Sequence, residues 1–193
     1  MIATTAFTVL LAIIMTSFLQ IGRMYIKGVN LSLVQEDSRN ITDSISNDIR
    51  FSGNPPTLAH IPTGLGGDNS GYFCVGNHRY RVNLYQQVTD TSDTTKGVVR
   101  ENVGPSCPQP GSPGDNPTDS VQMLNNGMQL NQLTLKCAAT NICTIGINVV
   151  FYGSDPTVLS PSATNPNAKC IGSLAGSQFC ANTSYTTTVL QSP

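Results

Sequence analysis

The chain has 193 residues, of which 11% are charged, with ten Lys and Arg set against eleven Asp and Glu for a net charge of −1. That balance removes any electrostatic case for nucleic acid or an anionic membrane surface as a partner. Gly and Pro are frequent, Trp is absent, and the cysteines number six, a composition that suits an exported, non-enzymatic product with one modest core.

Met1 to Gly22 (MIATTAFTVLLAIIMTSFLQIG) contains no charged side chain, and the first formal charge is Arg23. About 20 helical residues at about 1.5 Å each span roughly the 30 Å of a hydrocarbon core. Three readings compete. A cleaved signal peptide wants a basic start and a shorter apolar stretch. A plain signal anchor would put Arg23, Lys27 and the cysteines behind them on the cytoplasmic side. The favoured expectation is a mature chain beginning at Met1, from which a basic leader has gone. Its apolar helix leaves the bilayer to pack against copies of itself.

From Arg23 to Phe51 the pattern predicts a helix continuous with the apolar one. Leu31, Val34, Ile41, Ile45 and Ile49 mark one face, and Gln35, Glu36, Arg39, Asn40, Asp43, Asn47 and Arg50 mark the others. Arg39 and Asp43, four apart, are expected to pair. Gly22 and Gly28 each cost about 1 kcal/mol relative to Ala. Gly53-Asn54-Pro55-Pro56 ends the helix. A helix of roughly 50 residues is about 75 Å long, more than the remaining domain buries. Its front half must be sheltered by lipid or by other subunits.

The rest reads as strands. Gly71 to Asn77 and Arg79 to Gln87 are consecutive, with Gly76-Asn77 as turn material. In the second, Tyr80, Val82 and Leu84 alternate with Arg79, Arg81 and Asn83, predicting one buried and one wet face. Gly97 to Val103 is a further candidate. Leu130 to Cys137 and Cys143 to Tyr152 form a hairpin, and Tyr185 to Leu190 a terminal strand. The expected fold is α+β: a long helix over 1–53, with 1–22 as its membrane or filament-core part, on an antiparallel head of four to six strands over 54–193. Residues 104–127 and 155–169, rich in Pro, are expected to be irregular surface loops.

All six cysteines follow the apolar segment, and none form the C-x-x-C pair typical of zinc sites. His60 and His78 have no ligand spacing. Disulfides in an oxidising compartment are expected instead. Among about 15 possible connectivities, proximity favours Cys137–Cys143 and Cys170–Cys180, leaving Cys74–Cys107 by default.

No catalytic pattern is present: the sequence lacks G-x-S-x-G, H-E-x-x-H and G-x-x-x-x-G-K-[ST]. The Gly-rich run Gly64 to Gly71 has no strand-to-helix context. Asp115, Asn116 and Asp119 offer oxygen ligands without EF-hand spacing and are read as solvated loop residues. No enzyme activity, cofactor or metal is expected. The sequons at Asn30, Asn40 and Asn182 carry no argument.

These features together resemble the type IV pilins and the pseudopilins of type II secretion. Phe7-Thr8-Val9-Leu10 followed by Leu11-Ala12-Ile13-Ile14 resembles the family's apolar signature. Asp48-Ile49-Arg50 near the helix end is similar to that of minor pilins of the W and J types. The resemblance implies a structural subunit of an extracellular filament, held in the cytoplasmic membrane before assembly and handled by an assembly machinery. Its partners would be copies of itself or other pilins. The implied filament-core positions are Met1, Thr5, Phe7, Leu10, Leu11, Ile14, Phe18 and Ile21. One departure stands out: the family carries Glu at the fifth mature position, where this chain has Thr5, and no acidic residue precedes Glu36. That departure is shared with tip-located members, which implies an initiating or surface-binding role as the alternative. A membrane-anchored protein that never assembles is a further one.

Overall fold

The computed structural model describes residues 2–64, 66–138, 141–172 and 176–191, with residues 2–4 described by backbone alone. Met1, one of the expected filament-core positions, lies outside them.

A single helix, α1, runs through Ile2–Phe51. It stops where the Ser52 N–H bonds to the Asp48 carbonyl and Gly53 takes a φ of +63°, a left-handed conformation that glycine adopts without steric cost. The strands are β1 (Thr57–His60), β2 (Ser70–Val75), β3 (His78–Asn83), β4 (Gly97–Asn102), β5 (Thr118–Gln122), β6 (Met128–Cys137), β7 (Ile142–Phe151), β8 (Leu159–Ser160), β9 (Lys169–Cys170) and β10 (Ala181–Leu190). They do not form one sheet of four to six strands. They form a five-stranded sheet in the order β1-β2-β3-β4-β5, a three-stranded sheet β10-β7-β6, and a β8-β9 ribbon. Every pairing is antiparallel.

The division falls where the expected 79–87 strand breaks. β3 ends at Asn83 because Tyr85 turns the chain with a φ of 61°. Beyond it, the Tyr85 and Val88 N–H groups bond to the Leu130 and Met128 carbonyls of β6, at 2.9 and 2.8 Å. The two sheets are thereby laced at one corner and share a core.

That core gathers Val34, Ile41, Ile45 and Ile49 of α1 with Phe73, Tyr80 and Val82 of the larger sheet and Leu133, Ile145, Ile147 and Val149 of the smaller. Phe73 and Tyr80 are cross-strand partners with stacked rings, centroids 5.1 Å apart. Leu31, expected on the buried face, is 38% exposed, because burial begins only at Val34. Arg39 and Asp43 make no ion pair with each other among the described residues. Both are exposed side chains, where such a pair gains little against side-chain entropy.

The two Pro-rich stretches are not simple surface loops. Residues 118–122 of the first are β5, which starts once the prolines end at Pro117. The second contains β8 and the first residue of β9, the two strands of the ribbon, above a small second core of Val150, Val158, Leu159, Ala168 and Cys180. Each stretch folds onto the outer face of a sheet.

Candidate assembly interface

Along the first half of α1, a continuous apolar surface has nothing packed on it. Fourteen large apolar side chains between Phe7 and Val29 are exposed. Among the expected filament-core positions, Phe7 is 62% exposed, Leu10 58%, Leu11 43%, Ile14 53%, Phe18 74% and Ile21 65%, and Thr5 is exposed as well. Consecutive pairs such as Leu10-Leu11 and Ile13-Ile14 cannot share one stripe of a helix, so the apolar surface goes all round. A helix of that kind belongs in lipid or among other helices. The segment is long and apolar enough to cross a membrane, with a mean hydropathy of 1.9. Its hydroxyls are turned inward: Thr8 bonds to the Thr5 carbonyl, and Thr16 and Ser17 to that of Ile13, each at 2.9 Å. Satisfied in this way, they add little polar cost to an apolar environment.

The head takes hold of the helix at Asn30, whose amide donates to the Phe179 carbonyl at 3.2 Å. Above that point one side of the helix is buried, and polar groups clamp it at two levels. Asp37 accepts from the Asn125 backbone N–H at 2.8 Å and from its amide at 2.7 Å. Near the top, Asp48 accepts from the Tyr80 hydroxyl at 2.6 Å and from Arg100 at 3.1 and 3.2 Å, and His78 Nδ1 lies 3.0 Å away. The Asp48-Ile49-Arg50 run is therefore a docking element: Ile49 enters the core, Asp48 reaches β3 and β4, and Arg50 is exposed.

Two expectations about the head are corrected here. Arg79, placed on a wet face by alternation, is fully buried, and Asp115, read as a solvated loop carboxylate, has a side chain only 7% exposed. The 104–117 stretch lies over the outer face of β3. Arg79 binds Glu101 through Nε at 2.8 Å, Asp115 through Nη1 at 2.9 Å, and the Pro108 carbonyl at 2.7 Å. Burial alone would raise the Asp115 carboxyl, but the Arg79 guanidinium and the Gly111 N–H outweigh it and hold the group below its ordinary value. The Cys74–Cys107 disulfide staples the same loop to β2. Under the second loop, Gln129, Asn131 and Asn148 bond to the Ala163, Asn165 and Pro166 carbonyls.

The remaining disulfides are Cys137–Cys143, at the end of the β6-β7 hairpin, and Cys170–Cys180, joining β9 to the start of β10. No cysteine is free. His60 pairs with Asp68, whereas His78 sits beside Asp48, so the two histidines serve different places. Among the described residues, no three His, Cys, Asp or Glu converge as metal ligands. Gly64, Gly66 and Gly67 all have positive φ in the turn that leads to β2.

Sequence reasoning missed the Arg79 cluster and the Asp37–Asn125 clamp. A signal existed for the first: Arg79 and Glu101 are directly paired in the β3-β4 register. No family model matches this chain, and neither a curated protein nor a solved structure matches it.

Proposed function

We propose that this protein is a structural subunit of an extracellular filament of the type IV pilus kind, assembled through the apolar half of α1. One observation carries the reading: a helix apolar on every side projects without cover from a head locked by three disulfides. Lipid shelters that surface before assembly, and neighbouring copies shelter it afterwards. Fully burying each large apolar side chain contributes roughly 1.5–3 kcal/mol, so a dozen or more make the helix bundle cohesive. The proposed core positions are the exposed ones, Thr5, Phe7, Leu10, Leu11, Ile14, Phe18 and Ile21.

Leu11→Asp tests the reading. The variant should fail to enter filaments while its head keeps the same disulfides and melting temperature. Normal filaments from Leu11→Asp, or a detergent-free soluble monomer of the intact chain, would refute the proposal. The apolar helix carries no acidic residue from Met1 to Gln35, which favours a second reading as a tip or initiating subunit. Copy number per filament separates the two: thousands for a repeating subunit, a few for a tip.

A further inference from the structure

We infer that the outer face of the five-stranded sheet carries a binding cleft for a neutral saccharide. The cleft lies where β1, β2 and β3 meet the tip of the 104–117 loop, with a volume of about 450 Å³, within the range of about 300–1,000 Å³ common for ligand sites. Register assembles it. His60 pairs with Tyr72, Tyr72 with Arg81, and Ser70 with Asn83, so these side chains stand in two adjacent rows across three strands. Gln109 comes from the loop that the Cys74–Cys107 bridge holds in place. Gly71, at the floor, cannot be replaced without strain, since a Cβ there would overlap the His60 carbonyl and Pro62.

Several polar groups that line the cleft have no protein partner. Among the described residues, the Ser70 and Tyr72 hydroxyls and the Gln109 amide make no hydrogen bond, and Asn83 uses only its Nδ2, on the Thr95 carbonyl. Ser70 and Gln109 are exposed, so their hydroxyl and amide are open to a ligand. Arg81 uses Nη2, on the Thr94 carbonyl and on Glu101, while its buried Nε has no partner, where buried polar groups normally have one. The set offers donors and acceptors side by side.

Charge decides the class of ligand. Arg81, the one Lys or Arg among the lining residues, lies 2.9 Å from the Glu101 carboxylate, and no Asp or Glu is among them, so the lining has no unpaired cation to select an anion and no carboxylate to select a cation. Strand addition by an extended peptide is closed off at β2 and β3, whose backbone groups are consumed by the sheet on both sides, and is left only along the four-residue edge strand β1. Vicinal hydroxyls, each both donor and acceptor, fit the mixed set, with Tyr72 and Pro110 giving apolar contact. The inference stands apart from the assembly reading.

The test uses the full chain in phospholipid nanodiscs, avoiding glycoside detergents, with lactose, cellobiose and N,N′-diacetylchitobiose as probes. Saturation-transfer NMR should show binding of at least one disaccharide. Ser70→Ala and Gln109→Ala, which break no bond within the protein, should each weaken it about tenfold at an unchanged melting temperature. Leu11→Asp should bind as well as the parent chain. No transfer to any of the three sugars at about 10 mM, equal binding by both cleft variants, or displacement by an equal concentration of sulfate would each overturn the inference.

Discussion

Asp48 and Arg100 join the end of the helix to the middle of the larger sheet, with the carboxylate of one accepting the guanidinium of the other at 3.1 Å. The Tyr80 hydroxyl completes the contact at 2.6 Å. Asp48→Ala removes the acceptor shared by the buried Tyr80 hydroxyl, which keeps only Ser44, and the partly exposed Arg100. The expected loss is about 1–3 kcal/mol, read as a lower denaturation midpoint. Asp43→Ala, on the exposed side of the same helix, should stay within about 0.5 kcal/mol of the parent.

Asp115 and Tyr80 both contribute to the pH dependence of the head. Asp115 is held below its ordinary value of 3.8. Its stabilisation is complete above that value and is lost as pH falls through the lower folded one. Burial, and then the Asp48 carboxylate, push the Tyr80 hydroxyl above its ordinary 10.0. The folded state then favours the neutral phenol, so the contribution of Tyr80 is constant below about pH 10 and stability falls above it, where the unfolded chain ionises first. Unfolding free energies measured across pH should show both slopes. Asp115→Asn should flatten the acid one and Tyr80→Phe the alkaline one.

Removing the charge at Arg79 should be severe. Arg79→Met leaves the buried Asp115 carboxylate without its cation and Glu101 with Arg81 as its remaining cation, at a cost of about 3–5 kcal/mol. Replacing Cys74 and Cys107 together by Ser should cost roughly 2–4 kcal/mol. Because both features hold the same loop, the combined variant should lose less than the two losses added. Chemical denaturation of all three proteins provides the cycle.

The two halves of α1 should respond oppositely to truncation. Ile45→Ala opens a cavity in the shared core and should cost about 2–5 kcal/mol of head stability. Leu19→Ala, at a position 62% exposed, should leave the melting temperature of the nanodisc-held chain unchanged. Under the proposed function it should still weaken filaments, read as their dissociation on dilution or warming.

The helix was legible in the sequence because its signals are local and periodic. The absence of charge marks the first half, the Val34, Ile41, Ile45, Ile49 spacing gives the buried side of the second, and Gly53 with two prolines gives the stop. Cys137–Cys143 and Cys170–Cys180 are short-range bridges that spacing alone picks out, and the third pair then follows. The split into two sheets was not visible, since it depends on a left-handed turn at Tyr85, where no glycine announces it. Arg79 and Asp115 misled for a related reason. Alternation tells which face of a strand a residue occupies, but what covers that face is decided by a loop some 30 residues away. The cleft was hidden likewise, because the rows of Ser70 with Asn83 and of Tyr72 with Arg81 exist only once the hairpin register is set.

None of the three bridges crosses the junction between helix and head, since every cysteine lies at or beyond Cys74. Tension applied to the first turns of α1 therefore reaches the head through side-chain packing, hydrogen bonds and the backbone beyond Phe51, and through no bridge. When the packing and hydrogen bonds yield, the rod peels away and the segment from Ser52 to Phe73 pays out as a tether of roughly 70 Å. Beyond it, the spans 74–107, 137–143 and 170–180 are each closed by a bridge and cannot lengthen.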